Sequence, residues 1–130
     1  MLSHYTQLEQ AFILLVIYQV KHFLCDFPLQ RGYMLNKIRP GWDFIPPLSA
    51  HCLVHSVFTV AIALAVKPEL WFELLLIDFV THFIMDRIKA GPKYMGRYRD
   101  KTKSSYWNCL GFDQMVHHIT HIYMVWLMIS

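Results

Sequence analysis

The sequence predicts an all-α fold, a bundle of four transmembrane helices in a single domain that covers residues 1–130. Apolar residues make up 55% of the chain and charged residues only 16%, against about 45–50% and about 25% in soluble domains. Four apolar segments, each of roughly 20 residues, have the length that crosses a hydrocarbon core. A soluble four-helix bundle is the alternative, because every segment also carries ionisable side chains.

Turn-forming residues divide the four apolar segments from one another. The stretch 44–66 contains no Asp, Glu, Lys or Arg, and neither does 114–130. Stretches that contain Gly and Pro separate the first segment from the second and the third from the fourth, and Lys-Pro-Glu at 67–69 makes a tight turn. The predicted helices are about 6–27, 46–66, 70–88 and 111–130.

The distribution of Lys and Arg predicts how the bundle lies in a membrane. With four spans, the two long connections, 28–45 and 89–110, lie on one side, and both termini lie on the other. Ten of the twelve Lys and Arg residues are in or next to these connections. The positive-inside rule therefore predicts a multi-pass protein of the inner (cell) membrane, with cytoplasmic loops and both termini outside. A homo-oligomer is left open.

The second connection, residues 89–110, is both basic and aromatic, a composition that nucleic-acid-binding segments share. We interpret it instead as a juxtamembrane segment that lies against anionic headgroups. The predicted partners are therefore the lipid bilayer and an anionic lipid or phosphate-containing small substrate, and nucleic acid is disfavoured.

His and Asp residues recur four positions apart, a spacing that places two side chains on one helix face. Fourteen His and Asp residues would give one or two such pairs by chance, and six are present. The pairs are His22/Asp26, His51/His55, Asp78/His82, His82/Asp86, Asp113/His117 and His117/His121. One histidine from each helix is expected about 8 to 9 Å inside the cytoplasmic face. These four are His22, His51, His82 and His117.

Carboxylates buried inside a bundle are costly unless cations compensate them. Imidazole and carboxylate ligands together suit zinc, with manganese or iron as alternatives, and one or two divalent ions are expected. The three cysteines show no Cys-x-x-Cys spacing, so a thiolate zinc knuckle is not indicated. The predicted metal ligands are His22, Asp26, His51, His55, His82, Asp86, Asp113 and His117.

Further polar side chains lie close to the predicted ligands. Gln30 and Gln114 are expected to orient a ligand or to bond a substrate oxygen, with simple interfacial solvation as the alternative. His121 shares the face of His117 at greater depth, as a supporting residue. A general base and a group that binds an anionic substrate are also needed. The predicted catalytic residues are Asp113, Asp78 and Lys89.

Four motifs together resemble a known family: "HFLCDFPLQ", "HCLVH", "HFIMDRIK" and "DQMVH". In order and spacing they are similar to those of small bacterial and phage integral membrane proteins, classified only as a domain of unknown function. That family is distantly similar to membrane-bound metal-dependent hydrolases, by analogy of fold. The resemblance implies functional roles for His22, Asp26, Gln30, His51, His55, His82, Asp86, Lys89, Asp113, Gln114 and His117.

The residues and the resemblance together predict a membrane-embedded metal-dependent hydrolase. It would act on a phosphate-bearing or lipid substrate from the cytoplasmic face. A metal-ion transporter or sensor is the first alternative. A di-iron membrane oxidase is the second, because "HCLVH" and "HHITH" look like fragments of histidine boxes, although a third box is missing.

Overall fold

The structure, a computed structural model, describes residues 2–130. The four helices are α1 (Gln7–Asp26), α2 (Ile45–Val66), α3 (Trp71–Ala90) and α4 (Ser104–Ile129). Short 3₁₀ helices lie in the connections, at Gly32–Ile38, Pro68–Leu70 and Met95–Arg97. Residues 2–130 contain no strand, so the prediction of an all-α fold is confirmed.

Local sequence signals account for where the first two helices begin. Before α1, the Thr6 hydroxyl accepts a hydrogen bond from the Glu9 amide, and the Glu9 carboxylate accepts one from the Thr6 amide, a capping box. Pro46 and Pro47 lie in the first turn of α2, where a missing N–H costs nothing. The turn before α2 contains Gly41 at a φ of 67°, a conformation that favours glycine.

The helices form an antiparallel bundle in which α1 and α3 each pack against α2 and α4. The Gln7 amide donates to the Ile129 carbonyl over 3.1 Å, and Lys67 Nζ donates to the Leu127 carbonyl over 3.4 Å. These bonds bring the start of α1, the α2–α3 turn and the end of α4 together at what we call the terminal end. The two long connections lie at the opposite, loop end.

Helices α1 and α2 are long and apolar enough to cross a membrane, judged by length and composition. Helix α3 is not assigned by this criterion, because its charged residues include Asp78, Asp86 and Lys89. Asp78, His82 and Asp86 of α3 are buried, whereas Glu73 in its first turn is exposed. Helix α4 is not assigned either, so two of the four predicted spans meet the criterion.

The structure extends α4 beyond its predicted range. The helix begins at Ser104, earlier than the predicted start at residue 111, and Gly111 lies within it. A single glycine costs a helix only about 1 kcal/mol, so it does not force a boundary. The other three helices begin and end within two residues of 6–27, 46–66 and 70–88.

The interior of the bundle divides into an apolar half and a polar half. The apolar half, at the terminal end, is a cluster of Leu2, Leu14, Tyr18, Ala63, Leu74, Met124, Val125 and Met128. The polar half, toward the loop end, buries Lys21, His22, His51, His55, Asp78, His82, Asp86, Asp113, His117 and His121. A small cluster of Phe44, Leu48 and Cys52 lies in α2 and the residue before it.

Candidate metal centre

The polar half gathers imidazole rings from all four helices. The ring centroids of His55 and His82 are 4.0 Å apart, and those of His82 and His117 are 4.2 Å apart. The His22 centroid lies 5.2 Å from that of His117, and the centroids of His51 and His55 lie 4.8 Å apart. The five histidines predicted as metal ligands therefore form one continuous cluster.

Four groups of three side chains can each place their ligand atoms within 4.8 Å of one another. All eight predicted metal ligands belong to at least one of these groups. The groups are His22/His55/His82, Asp26/His51/His55, Asp78/His82/His121 and Asp86/Asp113/His117. We call His22, His55 and His82 the inner triad, and Asp86, Asp113 and His117 the outer triad.

The outer triad joins two carboxylates to one imidazole. His117 Nε2 lies 3.2 Å from Asp86 Oδ1 and 3.2 Å from Asp113 Oδ1. All three side chains are almost completely buried. The group thus offers two carboxylate oxygens and one imidazole nitrogen, a set that divalent zinc, manganese and iron all accept.

The other oxygens of the two carboxylates have partners of their own. Asp86 Oδ2 accepts a hydrogen bond from Lys37 Nζ over 2.6 Å. Asp113 Oδ2 accepts one from Lys89 Nζ over 2.7 Å and another from Gln114 Nε2 over 3.0 Å. Such bonds fix the orientation of a carboxylate that ligates through its remaining oxygen.

The inner triad shows the same arrangement with imidazole rings. Nε2 of His22 lies 3.1 Å from Asp26 Oδ2, and Nε2 of His55 lies 3.1 Å from Asp26 Oδ1. Nδ1 of His82 lies 2.9 Å from Asp78 Oδ1. Within the described part of the chain, the second nitrogen of each ring is buried without a hydrogen-bond partner. A histidine held by a carboxylate through one nitrogen, with the other free, is the usual form of a metal ligand.

His51 and His121 lie on either side of the inner triad. His51 Nε2 is 3.3 Å from Asp26 Oδ1 and 3.2 Å from Asp86 Oδ2, so it connects the surroundings of both triads. His121 is fully buried with its ring centroid 5.3 Å from that of His22 and 5.1 Å from that of Tyr18. It lies at the boundary between the polar and apolar halves.

The Asp78 carboxylate accepts hydrogen bonds through Oδ2, whereas Oδ1 has no hydrogen-bond partner within residues 2–130. Lys21 Nζ donates to Oδ2 over 2.8 Å, Thr59 Oγ1 donates to the same oxygen over 2.7 Å, and His82 approaches Oδ1. The pair of Lys21 and Asp78 is completely inside the bundle, with side chains 2% and 0% exposed. The predicted general base therefore lies among groups that hold it in place.

Lys21 and Lys37 contact the site although the sequence analysis did not include them. The contact of Lys21 could have been predicted from the sequence, because a lysine inside an apolar helix needs an opposite charge and Asp78 is a buried acid on another helix. The contact of Lys37 with Asp86 could not have been predicted, since it depends on the 3₁₀ helix Gly32–Ile38 folding back over the loop end.

A cavity of about 380 Å³ opens at the loop end and reaches Asp86 of the outer triad. It is lined by Asp26, Phe27, Gln30, Lys37, Asp86, Lys89, Tyr106, Leu110 and Gln114. Within it, Gln114 Oε1 lies 3.2 Å from Nε2 of His22, whereas Gln30 donates to the backbone carbonyl of Asp26. Gln114 thus contacts predicted ligands directly, and Gln30 holds the end of α1.

Comparison with known proteins agrees with the range of the motifs. The family model described as protein of unknown function (DUF3307) matches residues 12–130, which include every predicted ligand and the three lysines that pair with buried carboxylates, Lys21, Lys37 and Lys89. No curated protein and no solved structure matches the chain. The chain therefore belongs to the DUF3307 family of proteins of unknown function.

Proposed function

We propose that the chain is a four-span membrane protein that holds two divalent ions, preferably zinc, and hydrolyses a phosphate-bearing substrate from the cytoplasmic side. One observation carries the proposal. Asp86 of the outer triad lines a cavity together with two lysines, Lys37 and Lys89. The inner triad is adjacent, because the ring centroids of His82 and His117 are 4.2 Å apart. Metal ligands next to a cavity lined by lysines are suited to binding and hydrolysing an anionic ester.

The distribution of side chains supports four spans. Polar and charged groups fill one half of the interior, while exposed apolar side chains occur on every helix. On α3, Val80 and Ile84 are about half exposed, and on α4 Ile119 and Trp126 are more than half exposed. A soluble helix would place polar side chains on such a face. Lipid is the solvent that suits apolar surface around a charged interior.

The charge of the loop end favours a phosphate group. The carboxylates of Asp26, Asp86 and Asp113 and the ammonium groups of Lys37 and Lys89 leave one net negative charge there. Two divalent ions turn this into three positive charges. Burial of such an excess is costly without an anion, and a phosphate monoester would supply two negative charges.

The contacts suggest what each group would do in the reaction. When bound at the triads, divalent ions supply Lewis-acid activation of water and of a phosphoryl oxygen. Lys37 and Lys89 bind the anionic oxygens of the substrate at the cavity wall. Asp113 would hold an ion through Oδ1. Asp78 would position His82, whose Nδ1 lies 3.0 Å from the Asp78 carbonyl oxygen and 2.9 Å from Oδ1. The bonds of Lys21 and Thr59 to Asp78 Oδ2 favour this role over that of a general base.

The apolar half argues against transport of the ion. A transport path would need polar groups through the whole bundle. The polar groups end near Tyr18, Asp78 and His121, and the close-packed cluster around Leu14 and Leu74 follows. Hydrolysis requires access from the loop end alone.

Elemental analysis and a phosphatase assay on the detergent-purified protein test the proposal. We expect two divalent ions per chain and release of phosphate from p-nitrophenyl phosphate. Asp113→Asn should remove one ion and lower kcat/KM at least about 100-fold, because even the partners of ligands are worth about 10- to 100-fold. Asp43→Asn is the matched control, since Asp43 is an exposed carboxylate near the start of α2.

His82→Ala gives a second readout, because it should remove the inner ion and leave the outer one. A protein that hydrolyses the ester as well with Asn at position 113 as with Asp would contradict the proposal. So would a wild-type protein that carries no divalent metal.

A further inference from the structure

A second cavity adjoins the one that reaches the outer triad. Its volume is about 340 Å³, within the range of small-ligand sites. The two cavities share four wall residues, which are Lys37, Lys89, Tyr106 and Leu110. The second cavity, which we call the groove, is therefore adjacent to the cavity of the metal site, with the two lysines lining both.

The walls of the groove are mainly apolar. Beyond the shared residues they comprise Ile38, Ala90, Met95, Gly96, Tyr98, Arg99, Lys101 and Cys109. The guanidinium of Arg99 donates to the carbonyl of Gly96 over 2.6 Å, so it is engaged with the loop itself. A sugar or nucleoside would leave its hydroxyl groups without enough partners here, whereas an alkyl chain would not.

The loop that forms the groove is held at several points. The Gly96 amide donates to the Gly91 carbonyl over 3.1 Å, and a Cβ at Gly96 would collide with the carbonyl oxygens of Ala90 and Gly91. Trp107 Nε1 donates to the carbonyl of Lys101 over 2.9 Å, which ties the far end of the loop to α4. The groove is thus formed before a ligand arrives.

We propose that the groove holds the apolar chain of an amphiphilic phosphate monoester drawn from the bilayer. The phosphate would lie between Lys37, Lys89 and the triads, and the chain would lie along Met95, Tyr98 and Cys109. This rests on the proposed function, for which it names the substrate class. In the reaction, the water oxygen bonds to phosphorus and the ester P–O bond breaks. The products are inorganic phosphate and an alcohol, which takes the proton.

Alkylation of Cys109 tests the groove without any catalysis. Cys109 is half-buried and lines the groove, whereas Cys25 and Cys52 are buried, and mass spectrometry separates the three sites. Dodecyl phosphate at ten times its Kd should slow labelling of Cys109 by a maleimide about tenfold. Inorganic phosphate and dodecyltrimethylammonium should not. Equal protection by the ammonium amphiphile, protection by inorganic phosphate, or no protection by dodecyl phosphate would each overturn the inference.

A kinetic comparison separates this inference from the function on which it rests. Cys109→Phe should lower the ratio of kcat/KM for dodecyl phosphate over butyl phosphate at least about tenfold, because a filled pocket rejects the chain. Asn108→Phe adds the same ring to the neighbouring, exposed position of α4 and should leave the ratio unchanged. An unchanged ratio with Phe at 109 contradicts the chain site. If dodecyl phosphate protects Cys109 from labelling but is not hydrolysed, the proposed function is wrong and the assignment of the groove stands.

Discussion

The apolar and polar halves of the interior are formed by the same buried helix faces but contain different kinds of side chain. Leu14 and His22 belong to one buried face of α1, and Leu74 and His82 belong to one buried face of α3. Close-packed apolar side chains stabilise the terminal end through dispersion. At the loop end, each buried polar atom left without a partner costs about 1 to 3 kcal/mol.

The difference shows how a small helical bundle can hold a charged site. One end supplies stability, and the other end bears the cost of ligands that face each other before any ion is bound. The ion pair of Lys21 and Asp78 belongs to the polar half and lies at its boundary with the apolar half, because Lys21 Nζ is 5.9 Å from the ring centroid of Tyr18. Substitutions on the two sides of this boundary should therefore affect different properties.

The largest effect on stability is expected at the boundary. Lys21→Met should lower the free energy of unfolding by about 3 to 5 kcal/mol, because it leaves Asp78 buried without its cation. The measurement is unfolding in SDS titrations of the detergent-purified protein. Lys21→Met combined with Asp78→Leu should recover most of the loss, and Lys103→Met, beside the exposed Asp100, should cost nothing measurable. A Lys21→Met variant as stable as wild type would show that the ion pair does not stabilise the boundary between the two halves.

A smaller effect is expected within the apolar half. Leu74→Ala should lower the free energy of unfolding by about 2 kcal/mol, near the lower end for buried leucine if lipid surrounds the bundle as proposed. Metal content should stay unchanged. Leu76→Ala, at an exposed position of the same helix, is the control and should have little effect. Loss of metal from Leu74→Ala at full stability would show that the two halves are not separate.

The smallest of the three effects is expected in the polar half, and on metal rather than on stability. Gln114→Leu removes the amide that bonds Asp113 and His22, so affinity for the divalent ion should fall about tenfold in a chelator competition. Gln30→Leu alters the other amide of the cavity, which bonds only the backbone of Asp26, and should leave affinity unchanged. Equal losses from both variants would mean that cavity polarity, and not ligand orientation, controls affinity.

Helix periodicity is why so much of the site follows from the sequence. The spacing of four residues put His82 and Asp86 on one face, and reversal of order between antiparallel helices put His117 level with His82, whose ring now lies 4.2 Å from it. Lys37 could not be found this way, since its contact with Asp86 depends on the path of a loop. The start of α4 was also predicted too late, because a glycine such as Gly111 usually indicates the end of a helix but is tolerated inside this one.

The ion pair of Lys21 and Asp78 also bears on how the protein is made. The two residues are 57 positions apart in the chain, so at about 5 to 20 residues per second the lysine is synthesised roughly 3 to 11 s before its partner. In a spanning α1, as proposed, the unpaired lysine would meanwhile cost up to about 2.5 to 3.5 kcal/mol, the value for the centre of the bilayer. The first helix of the proposed four-span protein should therefore settle fully only when the third arrives, which would make its insertion a cooperative event of several helices.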